Sequence, residues 1–490
     1  MSRPGFVRAW SIRLAWALVL VAGTLVVGGG IQAVMLVPDL QPWHRYVPPA
    51  ELRAAEMGES FTLAQYLARE DEVFRQVLDN VETPVSSAAG TGSDVNRYVA
   101  SSISSPRRAV RDWNRTFEMT PAAPRGGALL VHGLTDSPYS MRAIAEALEA
   151  QGFHVLSLRV PGHGTVPAAL TKAVAEDWTA AVRVGARHLR RAIGSDRPLA
   201  LVGYSNGGAL VLRYALDAAA DPRLPAPSSI VLISPMIGVS PAARLARMIS
   251  ALGRFPFFEK ARWLDVVPEY NPFKYNSFPA NAGTQSFRVS SGVQSEIAAA
   301  ASSGVIARLP PILAFQSIVD RTVSTQAVVA DLFDRLAGSR HELVVFDINR
   351  LSGMEPFIRD DDAALVGSLA AGGPRPYRRT LVTNAGADTL DGVARTVAPG
   401  ATAAQDEPLG LAWPRQMFSL SHVALPFPID DPVYGASPPA SSPRSVALGR
   451  LSPVGEKGVL TVPIEVLMRA GWNPFFPYMS RRIVAWVTAP

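Results

Sequence analysis

Ser205 stands between two glycines in Gly203-Tyr204-Ser205-Asn206-Gly207. The apolar run Leu199-Ala200-Leu201-Val202 precedes this pentapeptide, and the helix-compatible run 209–216 follows it. A buried strand, a glycine-flanked turn and a helix form the context a nucleophile elbow requires. The turn is tight enough that side chains two positions either side of the serine would collide, so Gly203 and Gly207 remove them. The serine then stands at a helix N-terminus, where backbone N–H groups favour a developing negative charge. The plainer alternative is a glycine-rich turn whose serine only caps the helix.

A serine hydroxyl attacks a carbonyl only when a base takes its proton and a carboxylate orients that base. The chain has seven histidines. His44 borders an apolar N-terminal run and His188 falls inside a helix, so both read as surface residues. His154 and His341 each precede or begin a strand, the wrong end of a parallel sheet. His422, in Ser421-His422-Val423, follows every core element and completes the order Ser, Asp, His. For the acid, Asp320 lies just beyond the strand pattern Ile312-Leu313-Ala314-Phe315-Gln316, and Asp347, at another strand end, is second choice. An oxyanion hole needs two N–H donors. Asn206 follows the nucleophile directly, and Leu134 follows the strand end His132-Gly133, where the glycine permits close approach. His132 and the His163 of Pro161-Gly162-His163-Gly164 read as structural.

These groups require a scaffold. From about residue 115, strand and helix patterns alternate: 128–131, 140–151, 154–158, 173–193, the elbow, then 229–233. Such alternation predicts a mostly parallel sheet with helices on both faces and reactive groups at the carboxyl ends of its strands. The alternation stops between 236 and 310, where helical patterns at 242–252 and 286–301 flank Phe255-Pro256-Phe257-Phe258 and Trp263. An excursion leaving a strand end reads as a cap over the site. Core patterns return over 311–348, with a helix over 325–336 and a strand over 342–346. Residues 349–415 interrupt them, with one strand at 380–383, and 416–490 carry His422 and a C-terminal extension.

Residues 1–13 hold Arg3, Arg8 and Arg13 with no acid, and 14–37 is an uncharged apolar run. That length exceeds the ~20 residues needed to span a bilayer. Basic residues ahead of it predict a cytoplasmic N-terminus and a body on the extracytoplasmic, periplasmic side, held at the inner membrane by an uncleaved anchor. A cleaved signal peptide is the competing reading. Residues 38–114 form an extension whose 61–78 stretch reads as an amphipathic helix packed on the main domain. Its acids, Glu70, Asp71 and Glu72, argue against membrane docking. No cysteine is present, which excludes disulfides and thiolate chemistry, and the formal charge of +6 is scattered without interleaved aromatics, which gives no nucleic-acid footprint. Neither metal-ligand motif nor phosphate loop is found.

In combination, Val131-His132-Gly133-Leu134-Thr135-Asp136-Ser137-Pro138, Arg159 to Gly164, Gly203 to Gly207, Val319-Asp320 and Ser421-His422-Val423 resemble the α/β-hydrolase superfamily in its monoacylglycerol lipase and serine aminopeptidase-like branch. The resemblance covers residues 115–348 and the His422 loop. It implies an eight-stranded sheet, a cap after the sixth strand, and cofactor-free hydrolysis of carboxylic esters through an acyl-enzyme. The expected activity is therefore a membrane-tethered hydrolase of acyl esters such as monoglycerides or lysolipids. A peptidase or amidase on the same scaffold, and a silent binding module, are the alternatives. The family places its histidine soon after the last strand, whereas here 349–415 intervene.

Overall fold

Strand β2 (Gly126–Val131) is buried along its whole length, as are β3 (Phe153–Leu158) and β4 (Leu199–Tyr204). Continuous apolar runs of this kind suit strands covered on both faces, the situation in a parallel sheet. The computed structural model describes residues 16, 20, 24, 37–89, 95–238, 256–353, 364–365, 367–369, 373–441, 446–451 and 462–489.

With β1 (Phe117–Met119), β5 (Ser229–Ile233), β8 (Ile312–Ser317), β9 (Glu342–Phe346), β10 (Arg378–Asn384), β11 (Asp391–Val397) and β12 (Ala404–Ala412), these strands form one ten-stranded sheet in the order β1-β3-β2-β4-β5-β8-β9-β10-β11-β12. The seven strands from β3 to β10 run parallel, while β1, β11 and β12 are antiparallel additions at the edges. The sheet is thus mostly parallel, as expected, but has ten strands instead of eight. The reason lies in residues 349–415: Leu381 and Val382 continue the sheet beside β9, and two hairpin-linked strands extend it. The excursion leaves after β5, the fifth and not the sixth strand among the described residues, because only the short β1 precedes β2 there.

Within the excursion, β6 (Trp263–Asp265) and β7 (Phe278–Pro279) pair as a small separate hairpin. The expected helix over 242–252, and Phe255, lie outside the described residues. The second expected helix is observed at Ala280–Ser303 and buries Val289, Val293 and Ile297 in the cluster that also contains the elbow helix. It therefore belongs to the layer covering the sheet. Helix 325–336 is a succession of α, π and 3-10 turns.

The N-terminal extension is built into the core. Helix α1 (Leu63–Val77) is capped by Thr62 and buries Leu63, Tyr66, Glu70, Val73 and Val77. Glu70 is thus not part of an exposed acidic face. It meets the guanidinium of Arg159 at 3.0 Å, Glu51 binds the same fully buried arginine at 3.0 Å, and the Tyr66 hydroxyl donates to the Arg159 carbonyl. His44 is likewise buried, against expectation. Its Nδ1 accepts from the Gln41 N–H at 3.0 Å, its Nε2 meets Ser277 Oγ at 3.0 Å, and Trp263 packs edge-on against its ring. Among the described residues no helix is long and apolar enough to cross a membrane. Apart from Trp16, Leu20, Thr24 and Val37, the 14–37 run lies outside those residues.

Candidate active site

Ser205 has φ 54° and ψ −117°, a left-handed backbone that a residue with a Cβ adopts only under constraint. The elbow explains the constraint. A Cβ on Gly203 would come within 2.5 Å of the Gly207 carbonyl oxygen, and one on Gly207 within 2.1 Å of the Val131 carbonyl oxygen. The Ser205 N–H donates to the Ile233 carbonyl at 2.9 Å, tying the turn to β5, and helix α2 (Asn206–Ala220) departs at once.

His422 Nε2 lies 2.9 Å from Ser205 Oγ, and His422 Nδ1 lies 2.8 Å from Asp320 Oδ2. All three residues are buried. Burial alone would raise the Asp320 carboxyl, but the His422 imidazole and the N–H groups of Val323 and Thr322 outweigh it and hold the group below the usual carboxylate range. Its Oδ1 accepts from those two N–H groups at 3.1 and 2.8 Å. The alternative acid, Asp347, is bound instead to Arg350 and Thr383.

His422 is reached by a long detour that ends in a clamp. After β12, Trp413 buries its ring in the core, and Asn349, just beyond β9, fixes the returning chain. Its N–H donates to the Phe418 carbonyl at 2.7 Å and its Nδ2 to the Met417 carbonyl at 2.9 Å. Ser317 Oγ then donates to the Leu420 carbonyl at 2.8 Å, and Ser421 Oγ accepts from the Ala424 N–H, capping a short 3-10 turn that begins at His422.

Gly133 brings the loop after β2 onto the elbow, since a Cβ there would lie 3.2 Å from Ser205 Cβ. The N–H groups of Leu134 and Asn206 make no hydrogen bond to any described residue, as a hole awaiting an oxyanion requires. His132 accepts the Val160 N–H on Nε2 and donates from Nδ1 to the Gly133 carbonyl, so it braces this loop. His163 packs edge-on against His132 and Trp178. His341 accepts the Ile312 N–H at the opposite end of β8 from Asp320. His154 and His188 both meet Glu118.

Two site residues escaped the sequence reading. Gln316 Nε2 donates to Asp320 Oδ2 at 3.2 Å from inside β8, and its place as a polar residue near the end of an otherwise apolar strand was the available signal. Lys274, one of very few lysines, borders the cleft that contains Ser205 and His422. This cleft has a volume of about 510 Å³. Its lining includes the apolar Met236, Leu264, Phe278 and Val466 and the polar Tyr270, Asn271, Lys274 and Tyr434.

Residues 122–348 match the family described as "Serine aminopeptidase, S33". By this match the segment is similar to α/β hydrolases of the serine aminopeptidase-like branch. A thermostable monoacylglycerol lipase from Bacillus sp. (strain H-257) is 38% identical over 89 residues, which are 18% of this chain and 34% of that enzyme. The chain therefore spans about a third of the length of the curated relative it matches. Among solved structures, one of two metagenome-derived lipolytic enzymes aligns with TM-score 0.39 and 22% identity, covering 52% of this chain and 97% of that one. The monoacylglycerol lipase of Paleococcus ferrophilus aligns with TM-score 0.36 and 19% identity, covering 47% and 88%. A soluble variant of the Saccharomyces cerevisiae monoglyceride lipase, bound to a substrate analog, gives TM-score 0.36 and 12% identity over 47% and 82%.

Proposed function

We propose that this chain is a membrane-tethered serine hydrolase that cleaves carboxylic acyl esters, monoglycerides or lysolipids, through Ser205, His422 and Asp320. One observation carries the reading: Oγ, Nε2, Nδ1 and Oδ2 stand in hydrogen-bonded file at 2.9 and 2.8 Å beside an open cleft. As Ser205 Oγ attacks the ester carbonyl, His422 Nε2 takes its proton, and Asp320 holds Nδ1–H and offsets the imidazolium charge. The carbonyl oxygen becomes an oxyanion that accepts the N–H groups of Leu134 and Asn206. His422 then returns the proton to the departing alkoxide, leaving an acyl-Ser205. Water, deprotonated by the same nitrogen, attacks the acyl carbon and releases the acid. No cofactor enters any step.

The tether reading draws support from the segment that follows the apolar run. Leu40 packs with Trp263 and Val266, Val37 lies against them, and Lys260 Nζ donates to the Val37 carbonyl at 2.8 Å. Leu264, the neighbour of Trp263, lines the cleft. An anchor over 14–37 would thus emerge beside the mouth, where acyl chains from a bilayer arrive. The expected topology leaves the body outside the cytoplasm. Carbonate-resistant membrane sedimentation, with spheroplast protease digesting the body, is the outcome that agrees.

The chemical core of the reading is tested with a fluorophosphonate probe. Wild-type protein should label and turn over 1-monoacylglycerols, and Ser205→Ala should do neither while keeping its circular dichroism. A silent binding module would label no better than the alanine variant. A peptidase reading is disfavoured because, among the described residues, no carboxylate lines the cleft to hold a peptide ammonium. Turnover of amino-acyl amides above that of esters would reverse the preference.

A further inference from the structure

The cleft's charge inventory is one-sided. Lys274 and Arg469 both line it, and no described aspartate or glutamate does. Lys274 is half-buried, and its ammonium makes no hydrogen bond to any described residue. A partly desolvated ammonium without acceptors is unfavourable in isolation, and a ligand that brings acceptors removes the penalty. The Asp136 carboxylate offsets part of the charge through space, but that group is buried beneath the surface, where it accepts the Ser137 N–H. Arg469 is exposed and donates from one Nη2 to Thr322 Oγ1 at 2.7 Å, which leaves most of its five-donor fork unused.

Both cations sit where an alcohol portion would lie. Leu264, Phe278 and Gly283 form an apolar patch of the lining, since a Cβ on Gly283 would meet Phe278 at 3.3 Å and Leu264 at 3.9 Å, and an acyl chain suits that patch. Lys274 is held beside the oxyanion loop, since its neighbour Tyr275 donates its N–H to the Thr135 carbonyl at 2.7 Å. Arg469 stands on the side of the base: Ser421 Oγ donates to its carbonyl at 2.8 Å, and its partner Thr322 follows Asp320. The base returns a proton to the leaving alkoxide, so the alcohol departs on this side.

Resting on the ester-hydrolase reading above, we infer that the preferred substrate is an acyl ester whose alcohol part carries an anionic oxygen group, phosphate or carboxylate, bound between Lys274 and Arg469. The attraction acts through a half-buried site, so it is screened less by salt than a surface pair. A Lys274 that serves only as counter-charge to Asp136 would confer no such preference.

Binding is measured directly, so that absence of turnover in the wild type leaves the result readable. Full-length Ser205→Ala protein is titrated calorimetrically with 1-hexanoylglycerol, its 3-phosphate and its 3-hemisuccinate. The expected result is at least tenfold tighter binding of one or both anions than of the neutral ester, with the two anionic arms separating phosphate from carboxylate. Adding Lys274→Met should abolish the advantage, and Lys274→Arg should retain most of it. Three ligands binding within threefold of one another, or an advantage that survives Lys274→Met, would overturn the inference.

Discussion

Tyr204, the residue immediately before the candidate nucleophile, donates its phenolic hydroxyl to the backbone carbonyl of His422 at 3.2 Å, and the two rings lie 5.4 Å apart. One side chain therefore couples the elbow to the loop that carries the base, across 218 positions of sequence. Tyr204→Phe keeps the buried ring and removes only this bond, which is worth about 1 kcal/mol net. We expect kcat to fall about tenfold, since small displacements of a catalytic group are costly. KM should change less than about twofold. An unaltered kcat would show that the loop keeps its place without the tyrosine.

His422 and His341 both follow Asp320 in the chain, but they bind at opposite ends of the sheet. Removing one member of a group that acts as a unit costs roughly three or more orders of magnitude in turnover. His422→Ala should show that loss, with substrate binding by the Ser205→Ala background retained. His341→Ala should stay within about tenfold of wild type. The reverse pattern, read from ester turnover at saturating substrate, would remove His422 from the mechanism.

The elbow was legible because strand, glycine-flanked serine and helix follow one another directly in the chain, and Asp320 because a strand end points to it. His422 could be named only by elimination and chain order. What delivers it, the Asn349 clamp and the buried Trp413, joins residues 65 or more apart and leaves no local pattern. The extension of the sheet by β11 and β12 was hidden for another reason: β12 is largely exposed and carries charges, so its sequence lacks the apolar run of a central strand. His44 was misjudged because adjacency to an apolar run says nothing of burial, and its partner Ser277 is 233 positions away. For Glu70 the signal was available. Tyr66, Glu70, Val73 and Val77 repeat at helical spacing, which places the carboxylate on the inward face, where only a buried cation could satisfy it.

That cation, Arg159, has no exposed surface and serves Glu51, Glu70 and the His163 carbonyl together. Removing one member of a buried ion group strands the rest, typically at about 3–5 kcal/mol. Arg159→Met should therefore destabilise strongly in urea unfolding and expose the 38–89 segment to protease. Combining it with Glu51→Gln and Glu70→Gln should recover a substantial part, because the stranded charges are then gone. A single variant as stable as wild type would mean that the extension is held by its apolar face alone.

The buried histidines make acid sensitivity a second measure of the same interface. An unfolded histidine titrates near 6.5. Burial, reinforced by Arg45, lowers His44 to about 4, and burial lowers His163 to about 3. Protonating His44 would also cost Nδ1 the N–H it accepts from Gln41. Between pH 4 and 6.5 the unfolded chain thus binds protons that the folded chain refuses, so stability rises with pH across that window. The contribution is complete above 6.5 and is lost progressively on acidification. Carboxyls raised by burial, Glu70, Asp136 and Glu269, act in the opposite sense, weakening the fold as pH rises through their folded values. Comparing wild type with His44→Gln cancels those terms. From pH 8 to pH 5 the wild type should lose about 2 kcal/mol relative to the variant, from ~1.4 kcal/mol per pH unit below 6.5. Urea unfolding at the two pH values reads this directly, and an equal difference at both would mean that His44 titrates as it does in the unfolded chain.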